Sequence, residues 1–128
     1  MAFGLNAALY DAARKQHEAG ALQAAEQGYR QVLAMDPAHF ESLHMMGMLA
    51  GQTGRHDQAL ALADQAIVAR PDVPEAHVNR GIALANLGRD DEAAKSFQHA
   101  LDRSPGHPLA QSALTNLKAR ADAKAAKT

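Results

Sequence analysis

A period of 34 residues governs this chain. Pro37, Pro71 and Pro105 recur at that spacing, as do Gly20, Gly54 and Gly88. Three further columns run in phase: Ala25, Ala59 and Ala93; the small residues Ala13, Gly47 and Gly81; and the aliphatic Leu33, Ile67 and Leu101. Such self-similarity marks a stack of supersecondary units, each burying apolar surface only against its neighbours. Apolar residues at 47% with only 4% aromatics, and alanine throughout, point to helices rather than a β-sandwich. At 128 residues the chain is long enough for one domain.

Each column has a physical reason. The glycine allows the left-handed turn that stops a first helix. The small residues let two antiparallel helices approach closely. The proline ends the second helix, because it cannot donate a backbone hydrogen bond and clashes with the preceding turn. The pattern predicts helices near 7–19, 22–35, 39–52, 56–69, 74–87 and 90–103. Asn6 is assigned as the first N-cap, with Leu5 and Tyr10 as a hydrophobic staple. A seventh helix starts about Pro108 on the stripe Leu109, Ala113, Leu114 and Leu117. The expected organisation is an N-terminal extension (1–5), repeats at 6–39, 40–73 and 74–107, a capping helix (108–120) and a frayed or disordered tail (121–128).

This frame resembles the tetratricopeptide repeat. Repeat three carries Asn79-Arg80-Gly81, Leu84, Ala93, Phe97 and Pro105 where the family pattern has Asn-Leu-Gly, a large residue, Ala, a large residue and Pro. Repeat one supplies Ala13, Ala25, Tyr29 and Pro37, and repeat two Gly47, Ala59 and Pro71. Leu9, Leu43 and His77 replace the family's Trp, while Gln16, Ala50 and Leu84 replace its Tyr. Ala63 stands where Tyr29 and Phe97 supply bulk, and Met45, Met46 and Met48 are expected to fill the space. The resemblance implies an all-α, right-handed superhelical α-solenoid of antiparallel helix pairs, with seven helices.

Composition and spacing argue against several function classes. Lys plus Arg is 13 and Asp plus Glu is 14, a balance unlike the basic excess of a nucleic-acid binder. With no cysteine, thiolate zinc sites and cysteine nucleophiles are excluded. The seven histidines show no metal-ligand spacing, so no metal or cofactor is expected. Ser42, Ser96, Ser104 and Ser112 lie in no nucleophile elbow. The Gly-rich stretch Gly47–Gly54 lacks the Lys-Ser/Thr ending of a phosphate loop, and no catalysis is visible. Met1–Asn6 has neither a basic leader nor an apolar stretch, and no run is long enough to insert in a membrane, so a cytoplasmic location is expected.

What remains is binding. In the family, the first helix of each pair lines a concave surface. Helical spacing then selects Tyr10, Asp11, Arg14 and His17 in repeat one. It selects Glu41, His44, Met45, Met48 and Gln52 in repeat two, and Glu75, Val78, Asn79, Ile82 and Asn86 in repeat three. Tyr10, Met45, Met48, Val78 and Ile82 form an apolar stripe with a polar rim, the usual mark of an interaction site. Some family members clamp the acidic C-terminus of a chaperone here, but Glu75 would repel a carboxylate. Few basic residues in the groove imply weak salt dependence. The expected function is non-catalytic binding of a protein or peptide. The alternatives are a domain of a longer protein, as in certain bacterial glycosyltransferases and sulfotransferases, or self-association through Phe3 and Leu5 at one end and the cap at the other.

Overall fold

The computed structural model describes residues 2–127, with side chains from Gly4 onward; Met1, Thr128 and the Phe3 side chain lie outside the described residues. Seven helices and no strand occur among them: α1 (Ala2–Glu18), α2 (Leu22–Met35), α3 (Phe40–Gln52), α4 (His56–Ala69), α5 (Pro74–Asn86), α6 (Asp90–Arg103) and α7 (Pro108–Ala126). Consecutive helices pack as pairs, and the pairs stack into an all-α solenoid. The odd-numbered helices also touch one another along one face, α1 against α3 and α3 against α5.

The turns follow the repeat columns. Gly20, Gly54 and Gly88 have φ of +83°, +78° and +78°, the left-handed region that a side chain would strain. The proline-bearing turns follow Asp36, Arg70 and Ser104, the C-caps of α2, α4 and α6. Small residues hold the pairs together. A Cβ on Gly81 would lie 2.7 Å from the Phe97 ring, and one on Gly28 would lie 2.7 Å from Ala13 Cβ.

Two clusters form the core. Tyr29, Leu43, Met46, Leu49 and Leu62 anchor the first. Val78, Leu84, Phe97, Ala110 and Leu117 anchor the second, so α7 covers the third repeat with apolar side chains.

Four expectations are corrected. Asn6 does not cap α1: the helix begins at Ala2 and Asn6 lies inside it. No staple forms, since Leu5 is exposed and Tyr10 packs beside Tyr29 and His39. No proline interrupts Ala2–Asn6, and the good helix formers that follow carry the helix back across Gly4. Likewise α7 runs past Arg120 to Ala126, because alanines and lysines continue it and Arg120 is pinned to Asp90 by two 2.8 Å hydrogen bonds. Met46 is buried in the first core cluster and Met45 packs against it, but the bulk beside Ala63 comes from Leu62 and not from Met48. Met48 is exposed, whereas the neighbouring Leu62 is buried and sits 3.5 Å from where a Gly47 Cβ would be. Repeats one and three carry small-then-large pairs there, Gly28-Tyr29 and Ser96-Phe97; repeat two inverts the order as Leu62-Ala63.

Candidate functional site

The odd-numbered helices present a shared face because residues four, three and four apart line one side of a helix. On α1 these are Ala7, Asp11, Arg14 and Glu18; on α3, Glu41, Met45, Met48 and Gln52; on α5, Glu75, Asn79, Ile82 and Asn86. Between neighbouring ridges run three notches, and the side chains within them decide which is open.

The first notch, between α1 and α3, is bridged. His17 Nε2 donates to Gln52 Oε1 at 2.7 Å, and Nδ1 accepts from the Tyr29 hydroxyl at 3.0 Å. Tyr29 is fully buried, and burial, reinforced by Tyr10, pushes its phenol up to about 12, so it stays a donor. Arg14 is held by Glu18 at 2.7 Å, with Asp11 at 3.9 Å. At the third notch, between α5 and α7, Val78 is buried in one cluster with Ala110 and Leu117, and Arg120 of α7 is tied to Asp90 at the start of α6.

The second notch is open. A cavity of about 300 Å³ between α3 and α5 is lined by Gly47, Met48, Gly51 and Gln52 on one side and Asn79, Ile82, Ala83 and Asn86 on the other, with His56 and Ala59 of α4. Gly51 occupies the repeat position of His17, and Ala63 that of Tyr29. A Cβ added at Gly51 meets nothing within 4 Å. The residues that bridge the first notch are thus absent from the second. Met48 and Ile82 stand at 40% and 39% exposure, unusual for large apolar side chains without a neighbour to cover them. Buried Nδ1 of His56 has no hydrogen-bond partner.

Of the residues selected by helical spacing, Met48, Gln52, Asn79, Ile82 and Asn86 converge on this notch. Met45 is half-buried against the first core cluster. Tyr10, Asp11, Arg14 and His17 belong to α1 and do not line the cavity. His44 is half-buried, stacks on Phe40 and accepts from Asn79 Nδ2 at 3.1 Å. Burial lowers its pKa, with only the Glu75 carboxylate pulling the other way, so the ring is kept neutral as an acceptor.

Val78 is a correction. It is 3% exposed and belongs to the second core cluster, not to the groove. Its column, Tyr10, His44 and Val78, turns about 100° away from the ridge residue that follows each of them and meets the next odd-numbered helix. For Val78 that neighbour is α7.

Sequence spacing missed Gly51, Ala59, Ala83 and His56, the residues that give the notch depth. The signal was present in the column His17, Gly51, Ala85, where a large polar residue gives way to none. Two histidines also have a structural role that spacing did not reveal. His39 accepts from Ser42 N and His107 from Ala110 N, capping α3 and α7. They occupy the same repeat position, with Val73 between them.

Among the described residues no three His, Asp or Glu side chains are arranged to hold a metal ion, and no helix is long and apolar enough to cross a membrane.

Comparison with known proteins agrees with this architecture. The model of the Tetratricopeptide repeat family matches residues 44–108. The TPR repeat-containing thioredoxin TTL4 of Arabidopsis thaliana is 33% identical over 87 residues, 68% of this chain. The chain spans only 13% of the length of that relative. An O-GlcNAc transferase of Thermobaculum terrenum superposes with a TM-score of 0.85 at 28% identity, over 91% of this chain and 22% of the transferase. The first TPR of Spaghetti (RPAP3), bound to the HSP90 peptide SRMEEVD, superposes at 0.88 with 18% identity, over 91% of this chain and 93% of its own. The second TPR domain of human RPAP3, in complex with the HSP70 peptide SGPTIEEVD, gives 0.87 at 23%, over 92% and 98%. At such identities the RPAP3 domains share the fold.

Proposed function

This chain belongs to the tetratricopeptide repeat family, and from that premise we propose that it is a non-catalytic interaction module that binds a peptide segment of a partner protein on its odd-helix face. The open second notch carries the reading. Met48 and Ile82 offer apolar surface whose burial is worth roughly 25 cal/mol per Å². The 300 Å³ between them suits one anchoring side chain. Asn79, Gln52 and Asn86 stand around it as amides able to donate to and accept from a peptide backbone. The binding of peptides by the two RPAP3 domains supports this use of the fold. Tyr10, Asp11, Arg14, His17, His44 and Met45 extend the proposed face beyond the notch.

A second reading is favoured by the comparisons: the 13% and 22% coverage of the relative and the transferase suits a domain that works within a longer protein. The groove would then engage a segment of that protein or its substrate. Self-association is a third arrangement, using exposed Leu5 at one end and exposed Leu109 at the other.

Selection from a displayed random-peptide library tests the proposal, with Gly51→Leu as the counter-target. Peptides retained by the native chain should lose tenfold or more in affinity, about 1.4 kcal/mol, on Gly51→Leu and on Ile82→Glu. Gln98→Glu, on an exposed part of α6 outside the notch, should leave them bound. Peptides indifferent to both notch variants would place the binding surface elsewhere.

A further inference from the structure

We infer that the segment this face takes is basic around its apolar anchor, the opposite of the acidic peptides bound by the RPAP3 domains. The inference rests on the proposed peptide-binding role and adds the chemistry of the partner.

The charge of the face is lopsided. Across the twelve ridge positions of α1, α3 and α5, the charged residues are Asp11, Glu18, Glu41 and Glu75 against Arg14 alone. All four carboxylates are at least half exposed, between 50% and 63%. The whole chain is near neutrality at −1, so this excess is local. Arg14 is not free to meet an acidic ligand, because Glu18 holds it at 2.7 Å and Asp11 flanks it.

Glu41 and Glu75 matter most. They share one repeat position and lie two turns along the ridge from Met48 and Ile82, the walls of the notch. Each has a histidine Nε2 at 3.8 Å, His39 beside Glu41 and His107 beside Glu75. Those histidines do not cancel the charge. Both accept a backbone N–H at Nδ1 as helix caps, and a ring that accepts there is neutral. The two carboxylates therefore stand with their charge uncompensated beside an apolar hole. Each stands in the first turn of its helix, where the N-terminal dipole favours a negative charge. A lysine or arginine two or three residues from the anchor in an extended segment would reach them, since each residue spans about 3.3 Å. A glutamate there would meet like charge.

Three synthetic peptides decide the matter. They share a Leu-Ile core and differ only in the two residues on each side, which are all lysine, all serine or all glutamate. Fluorescence anisotropy at low salt should rank lysine over serine over glutamate, with about a tenfold span from first to last. Raising ionic strength to about 0.5 M should compress the span, as the Debye length falls below the spacing of these exposed charges. In Glu41→Gln with Glu75→Gln the span should shrink to about twofold while the serine peptide keeps its affinity. Should that variant fail to fold, the salt series on the native chain still decides. Three peptides that bind alike, or a tightest glutamate peptide, would overturn the inference and leave the binding role intact, provided that Gly51→Leu abolishes all three. If none binds at about 1 mM and peptide selection also yields nothing, both ideas fall.

Discussion

The first and second notches share a repeat frame and differ in one column. In the first, His17 reaches Tyr29 below it and Gln52 across from it. In the second, Gly51 reaches nothing, and Asn86, the repeat counterpart of Gln52, is left exposed. The lesson concerns what a repeat position means. The column sets where a side chain stands, and its chemistry decides whether the space between two ridges is structure or surface. A bridged notch strengthens the stack by joining neighbouring repeats. An open one leaves apolar walls in water and so offers free energy to a ligand.

The third repeat sharpens this contrast, because a whole helix, α7, covers it. Deleting 108–128 should have the largest effect. It exposes Val78 and Phe97 and removes Leu117, a loss of about 4.5–9 kcal/mol at ~1.5–3 kcal/mol for each of these large apolar side chains. Thermal melting should show a large drop together with lower solubility. Deleting 121–128 alone should move stability by less than about 0.5 kcal/mol, since residues 121–127 are exposed. Equal melting of both truncations and the full chain would mean that α7 does not seal the stack.

Exchanging the contents of the first two notches is the more direct test. His17→Ala leaves the buried Tyr29 hydroxyl without its acceptor and should cost about 1–3 kcal/mol in urea unfolding. Gly51→His should cost nothing and gain a few tenths of a kcal/mol, because a helix-interior glycine is replaced in open space. That same substitution should weaken any notch-dependent peptide. A destabilised Gly51→His protein would show that the emptiness at Gly51 serves packing rather than binding.

The smallest effect is a pH dependence. Burial lowers the pKa of His44 and of His77, each from an ordinary value of 6.5. Below 6.5 the unfolded chain takes up protons that the native state refuses, so stability falls as pH drops toward the native pKa values and then levels. His77 is fixed by donating Nε2–H to Pro71 O at 2.8 Å, and His44 by accepting from Asn79. Urea unfolding between pH 7.5 and 5 should therefore show a slope that His44→Asn reduces. An unchanged slope would mean that His44 is protonated as easily folded as unfolded.

The inverted pair Leu62-Ala63 bears on how much could be read in advance. An alanine in a column of large residues suggested a gap filled by methionines. In fact the bulk moved one residue back, to Leu62, about 100° around α4. The shift was visible as a column, Gly28, Leu62, Ser96, but it gains meaning only once α3 is known to approach through Gly47 at that height. Asn6 shows the opposite error. A residue with good capping chemistry went unused because the helix runs through Gly4 and starts before it.

By itself, then, the sequence determined everything set by local chemistry repeated at a period of 34 residues: the glycine turns at positive φ, the proline breaks, the small residues between paired helices and the face each odd helix presents. These depend on φ preferences and on side chains within a turn or two, and they recur in each repeat. Tertiary structure alone decided which notch is open and that Val78 belongs beneath α7. Both outcomes depend on residues distant in the sequence: Gln52, which His17 reaches, and Leu117, in the cluster that holds Val78. His17 fills its notch because Gln52 and Tyr29 are there to receive it, and Gly51 leaves its own empty because a hydrogen atom reaches no one.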